Sequence, residues 1–300
     1  MKHVLLIGGA SFIGLNLIEK FISENYKVIA YGRTEPIIKH ENLFFIKGEL
    51  YDVASKLSFI KSLDIHDAIY LVNNIPVNSS IDNYSKLLDL NKSAFNAILK
   101  LVNRLVFFSS GGRVYSSSET PHLESDLIDP ICQYGRSKAE LEDYLQSIAK
   151  NDGADILIIR PSNPYGKYQN IRGSQGLVAV LIGKFIDGVS IDIWGTGREV
   201  RDYIYICDFV EIFFKLLSKS DLIYNVYNIS SNFGSSTLQV LELINNHFDV
   251  ERDFNLINVS QPIVSFNVLS NNRVLNEVGD FELTSFGDGL DLFIKHVCKL

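Results

Sequence analysis

Residues 3–22 read HVLLIGGASFIGLNLIEKFI, and the fold follows from how this stretch breaks. Val4 to Ile7 is a short, unbroken apolar run closed by turn glycines, the pattern of a buried parallel strand. From Ile13 to Ile22, apolar residues recur at helical spacing (Ile13, Leu17, Ile18, Phe21), with Lys20 and Glu24 on the other face. The turn between the two, Gly8-Gly9-Ala10-Ser11-Phe12-Ile13-Gly14, follows G-x-x-G-x-x-G with Ser11 at the middle position. A glycine turn here lets backbone N–H groups and a helix N-terminus approach a pyrophosphate. Gly8, Ser11, Phe12, Ile13 and Gly14 are therefore candidate dinucleotide contacts; the competing reading is a plain β–α turn.

Outward from this unit the alternation continues. Lys27–Tyr31, Leu43–Ile46, Ala68–Val72, Leu105–Ser109 and Asp155–Arg160 read as strands, and Tyr84–Val102 and Tyr134–Lys150 as helices. Alternating strands and helices imply crossover units on a parallel sheet. The expected fold is α/β, a doubly wound parallel (Rossmann) sheet with a smaller C-terminal substrate domain. After about Pro161 the breakers Pro164, Gly166, Gly173 and Gly176 predict a more irregular region, while Ile204–Ser218 and Tyr224–Ile229 read as a helix and strand returning to the sheet. The predicted division is a dinucleotide-binding domain over 1–165 with 204–229, and a substrate domain over 166–203 and 230–300.

Composition narrows the partners. Twenty-eight Lys and Arg against 35 Asp and Glu give a net charge of −7, with no long basic run. That argues against a nucleic-acid or membrane-surface binder and leaves room for a small anion held by local donors. Cys132, Cys207 and Cys298 are too few and too scattered for a disulfide framework, which predicts a reducing, cytoplasmic setting. The six histidines show no metal-ligand spacing, so no metal site is expected. No apolar run reaches the roughly 18 residues of a membrane span, and the first apolar run breaks at Gly8-Gly9 with no cleavage site after it.

Two more local signals carry chemistry. The second strand ends at Tyr31-Gly32-Arg33-Thr34, with glycine where an acid would bind a ribose 2′-hydroxyl and Arg33 beside it. An arginine there suits a 2′-phosphate, which favours NADP(H) over NAD(H); a solvated surface arginine is the alternative. Tyr134-Gly135-Arg136-Ser137-Lys138 places Tyr134 and Lys138 one turn apart on a helix face. A cation that lowers the phenol pKa would let Tyr134 exchange a proton with a carbinol or carbonyl near neutrality.

Taken together, the chain resembles the extended short-chain dehydrogenases/reductases of the nucleotide-sugar epimerase/dehydratase family, UDP-glucose 4-epimerase-like, nearly end to end. Gly48-Glu49-Leu50-Tyr51-Asp52 resembles that family's GDLxD, and Asn91 stands where it has an asparagine after the fourth strand. FFSSGGRVYS (107–116) resembles SS-x-x-x-VYG, RPSNPYG (160–166) a sugar-diphosphate segment, IWGTGREVRDYIYICD (193–208) GxGxxxRDYxxVxD, and YNISSNFGSST (227–237) YNIGsGxxxS. The resemblance implies catalysis by Tyr134 and Lys138 and cofactor contacts from Glu49, Leu50, Asn91, Tyr134 and Lys138. It also implies a nucleotide-diphospho-sugar held by Arg201 and Asn163, and a homodimer.

Departures from the pattern shape the reaction. Gly111 occupies the family's catalytic Ser/Thr position, so the adjacent Ser110 is the candidate hydroxyl. Gly112 and Arg113 replace the Asp-Glu pair of the dehydratases, which removes the proton donor for elimination of water. Val72-Asn73-Asn74 replaces LAA, and SQPIV (260–264) lacks a diphosphate arginine for which Arg273 or Arg172 could stand in. The implied activity is oxidoreduction at C4. Reduction of an NDP-4-keto-6-deoxyhexose by NADPH, for surface polysaccharide (O-antigen) sugars, stands ahead of 4-epimerisation with a retained cofactor. A non-catalytic dinucleotide sensor is third. Trp194 could stack on the base or simply pack, and Cys207 reads as core.

Overall fold

The computed structural model describes residues 2–75, 83–258 and 263–298. In chain order come β1 (His3–Ile7), α1 (Phe12–Ser23), β2 (Lys27–Gly32), β3 (Leu43–Lys47), α2 (Val53–Lys56), β4 (Asp67–Tyr70) and α3 (Tyr84–Ile98). Next are β5 (Arg104–Phe108), α4 (Gly111–Val114), α5 (Gln133–Asp152), β6 (Asp155–Pro161), β7 (Asn163–Tyr165), α6 (Leu177–Asp187), β8 (Ile191–Trp194) and β9 (Val200–Tyr205). Last are α7 (Ile206–Leu217), β10 (Val226–Ile229), β11 (Gly234–Ser236), α8 (Thr237–Phe248), β12 (Phe254–Ile257), β13 (Phe266–Asn267), α9 (Asn272–Val278) and α10 (Phe286–Cys298). The chain divides into two units. Met1–Val114, Ile128–Arg160 and Ile223–Tyr227 form the first, and Tyr115–Leu127, Pro161–Leu222 and Asn228–Leu300 the second.

A seven-stranded sheet in the order β10-β6-β5-β4-β1-β2-β3 organises the first unit. Every pairing from β6 to β3 is parallel. Val4, Leu5, Leu6 and Ile7 are wholly buried, as an unbroken apolar run on a two-faced sheet requires. Each such side chain stabilises the fold by about 1.5–3 kcal/mol. Strand order reverses at β1, between β4 and β2, and an open sheet binds its ligand outside the carboxyl ends at such a point. α5 presents Gly135, Ser137, Lys138, Leu141, Glu142 and Leu145 on one buried stripe, and Gly153 closes it in the left-handed conformation.

In the second unit, β9 is the hub. It pairs antiparallel with β11 and parallel with β13 and β7. The irregularity expected after Pro161 gives way to regular structure. α6, α8 and α10 bury Leu181, Ile182, Leu241, Ile244, Leu290, Phe293 and Ile294 in one cluster. Of the breakers, Gly176 begins α6, which Gly188 ends, and Pro164 lies within β7. The helix expected from Ile204 starts two residues later, because Ile204 and Tyr205 complete β9. Cys207 is exposed rather than core, since the buried stripe of α7 runs through Ile206, Phe209, Val210 and Phe213.

Candidate active site

Ser11 is extended and caps α1, its hydroxyl accepting from the Gly14 N–H. The N–H groups of Phe12 and Ile13 have no acceptor among the described residues, so the first turn of α1 leaves two donors open, as the approach of an anion would require. Gly14 can be nothing larger: a Cβ there would collide with the Gly9 carbonyl. The Gly8 N–H donates to the Tyr31 carbonyl at 2.8 Å, which sets the end of β2 against the turn. Arg33 follows that strand end, exposed and without a hydrogen bond or ion pair among the described residues.

Glu49 and Leu50 reach the same strand end through Tyr31, whose hydroxyl donates to the Glu49 carbonyl at 2.7 Å and also bonds Asp52. Asn91 is buried, accepts from the Tyr70 hydroxyl at 2.6 Å and donates to Asn74 Oδ1 at 2.8 Å. It therefore ties the middle of α3 to the end of β4. Asn74 Nδ2 and Ser109 Oγ, just beyond β4 and β5, are buried without partners among the described residues. Orphaned polar atoms there, with the open turn of α1, fit a bound dinucleotide that would engage them. Among the described residues no cluster of three metal-ligating side chains occurs.

Tyr134 and Lys138 lie in the first turns of α5, which Cys132 caps through its sulfur on the Gly135 N–H. Gly135 lets that turn close onto α4, since a Cβ would strike the Arg113 carbonyl. Ser110 is fixed from the other side, its carbonyl accepting the N–H groups of Arg113 (3.1 Å) and Val114 (3.0 Å). The result is a hydrogen bond between Ser110 and the Tyr134 side chain.

Lys138 is 4% exposed; its ammonium donates to the Phe108 carbonyl at 2.8 Å and lies 5.7 Å from the Tyr134 ring centroid. Burial pulls Lys138 down to about 7, and the Glu142 carboxylate one turn along α5 acts in the other direction. Tyr134 does not show the lowered pKa expected from its neighbour. Burial raises the phenol, and the Ser110 hydrogen bond and the Arg113 charge only partly offset this. The Lys138 ammonium is turned to the Phe108 carbonyl, and burial holds the phenol above its usual range.

Asn163 and Arg201 lie in the second unit, on β7 and β9. Asn163 Nδ2 donates to the Asp202 carbonyl at 2.7 Å, and Arg201 Nη1 to the Val200 carbonyl at 2.8 Å. Neither substitute arginine is uncommitted: Arg172 pairs with Asp187 at 2.6 Å and Arg273 with Glu124 at 3.4 Å. Residues 260–262 of SQPIV lie outside the described residues. Trp194 is 69% exposed, because burial alternates along β8 and its side chain faces outward. Plain packing does not account for it.

Two features escaped the sequence reading. Glu142, wholly buried, is held bidentately by Arg160, with bonds of 3.1 Å from Nε and 2.6 Å from Nη2 to one oxygen. Its four-residue step from Lys138 was the available signal. Asp202 is also wholly buried, and nothing in RDY alone shows what it binds.

Residues 4–230 match the profile of the NAD dependent epimerase/dehydratase family. The chain is 29% identical to the dTDP-4-dehydro-6-deoxyglucose reductase of Escherichia coli, across 99% of this chain and 98% of that one. It is 28% identical to the UDP-glucose 4-epimerase of Mycolicibacterium smegmatis, across 70% and 72%. It superposes on the UDP-glucose 4-epimerase of Thermotoga maritima with a TM-score of 0.89 and 25% identity over 99% of each chain. The NAD-bound dTDP-glucose 4,6-dehydratase of Bacillus anthracis shares the fold, with a TM-score of 0.85 and 23% identity over 100% of this chain and 97% of that one.

Proposed function

Because the chain belongs to the NAD dependent epimerase/dehydratase family, we propose that it reduces the C4 carbonyl of an NDP-4-keto-6-deoxyhexose, with NADPH as the reductant. It is an NAD(P)-dependent enzyme acting on nucleotide-sugars by redox chemistry at C4. When bound, the nicotinamide supplies the hydride that C4 receives. Tyr134 supplies the proton that the C4 oxygen takes up as the carbonyl becomes a carbinol. Ser110 hydrogen-bonds Tyr134 and steadies the same oxygen, and Lys138 orients the cofactor ribose. Arg33 receives the 2′-phosphate, Phe12 and Ile13 the pyrophosphate, and Arg201 with Asn163 the substrate diphosphate.

The observation that carries this reading is the match to a named reductase over nearly the whole of both chains. Burial raises the Tyr134 phenol, in keeping with a group that delivers a proton. α4 carries no carboxyl group in its sequence GGRV, which speaks against dehydration.

A 4-epimerase is the second reading, favoured by the superposition on an enzyme of that name. In that case hydride leaves C4 and returns to its other face with the cofactor retained. Releasing and identifying the nucleotide carried by the purified protein separates the two. An empty site that binds added NADPH and is oxidised once per keto-sugar reduced supports the reductase. Tightly held NAD+ with no net consumption overturns it.

A further inference from the structure

Asp202 sits at the centre of β9 with 0% exposure and forms no ion pair among the described residues. Its carboxylate is taken up by hydrogen-bond donors. Oδ1 accepts from the Ser231 N–H at 2.9 Å and the Ser231 hydroxyl at 3.0 Å, and Oδ2 from the Asn232 N–H at 3.0 Å. A longer contact of 3.4 Å reaches Oδ2 from the Leu269 N–H. A buried carboxylate without a cation is costly, and burial pushes this one up to about 6. A group retained at that cost, at the hub of a sheet, invites a reason.

The partners supply one. The Ser231-Asn232 turn, with Asn232 at φ 65°, leads into β11, where Ser235 stands opposite Arg201. Leu269 follows β13, where Asn267 stands opposite Arg201 on the other edge. The main-chain carbonyl of Asp202 receives Asn163 Nδ2 at 2.7 Å. Both strands flanking Arg201, and Asn163 itself, are thus tied to one residue. Strand alternation turns the Arg201 side chain to the opposite face, where the buried charge does not block its approach to an anion.

We propose that Asp202 is a positioning residue for the substrate diphosphate, fixing Arg201 and Asn163 in the arrangement that receives it. The inference rests on the reading of those two residues as the diphosphate site. Asp202→Asn keeps the shape but replaces one acceptor oxygen with an NH2 group facing N–H donors. The turn before β11 then loses its anchor.

The test is calorimetric binding of UDP, dTDP and NADPH to the full chain, in wild type, Asp202→Asn, Ser231→Ala and Arg201→Lys, with melting curves. KM and kcat with dTDP-4-keto-6-deoxyglucose accompany it. Loss of a buried hydrogen-bond partner costs about tenfold or more in an equilibrium. Asp202→Asn is therefore expected to weaken the better-bound nucleoside diphosphate at least about tenfold and raise KM in parallel, with kcat and NADPH affinity held within about twofold. Ser231→Ala, which keeps both backbone donors, is expected to weaken it about threefold, and it serves as the test if Asp202→Asn does not fold. If Arg201→Lys weakens binding and neither other variant does, even with lowered melting temperatures, Asp202 is merely structural and the proposal is overturned. If Arg201→Lys also binds normally, or wild type binds neither diphosphate, the diphosphate site itself is misassigned and the proposal falls with it.

Discussion

Replacing Glu142 by Gln tests the buried pair behind the candidate acid–base centre. The Glu142 and Arg160 side chains are 0% and 3% exposed, and their three hydrogen bonds measure 2.6, 3.1 and 3.2 Å. Glutamine keeps one acceptor, turns an NH2 toward the guanidinium, and removes the buried carboxylate charge that faces Arg160. Breaking a buried pair from one side costs about 3–5 kcal/mol, whereas replacing both partners with apolar groups of similar size is near neutral. The variant is therefore expected to lose about that much in urea denaturation, and Glu142→Leu combined with Arg160→Met to recover most of it. Loss of the carboxylate also removes the influence that raises Lys138, so in both variants Lys138 gives up its proton at lower pH than in wild type. NMR titration of the lysine side chain reads this directly. A stability loss below about 1 kcal/mol, or an unmoved Lys138 titration, refutes the reasoning.

Three further outcomes are expected. Tyr134→Phe loses turnover by roughly 10²–10⁴-fold, the usual worth of a positioned acid, while NADPH affinity in calorimetry stays near wild type; near-normal turnover removes Tyr134 from the mechanism. Arg33→Ala weakens NADPH by roughly tenfold, the low end for a charge-assisted bond at an exposed site, and leaves NADH unchanged; equal wild-type affinity for both cofactors contradicts the assignment. In the free protein Lys138 is depressed to about 7 from the usual 10.5, so between those values the unfolded chain binds more protons and stability rises with pH. Denaturation at pH 7 and pH 9 shows this gain, and Lys138→Met abolishes Lys138's share of it.

Much of this was legible because it is local. Val4–Ile7, the glycine turn and the apolar period of α1 fall inside 20 residues, and the strands of the first unit announce themselves as unbroken apolar runs. The step from Tyr134 to Lys138 is equally local. The partner of Glu142 lies 18 positions away on another element, and a glutamate in a helix reads as solvated until its surroundings are known. Asp202 bonds residues 29, 30 and 67 positions distant, which no local spacing encodes. The direction of the Tyr134 shift was misjudged for a related reason: proximity to Lys138 was readable, but the Phe108 carbonyl that claims its ammonium was not. In the second unit, breakers suggested disorder of pattern where Gly176 caps a well-formed helix and Pro164 sits within a strand.

The strand order has a consequence for a chain leaving the ribosome. β6 ends at Pro161, and its outer neighbour β10 begins only at Val226. At about 5–20 residues per second, the interval is on the order of ten seconds. For that time β6 is the open edge of a nascent sheet, with Ile156, Leu157, Ile158 and Ile159 available to any strand that can pair with them. Chaperone demand during synthesis should therefore peak while residues 161–226 emerge, and a truncation before Val226 leaves a sticky edge that the full-length chain conceals.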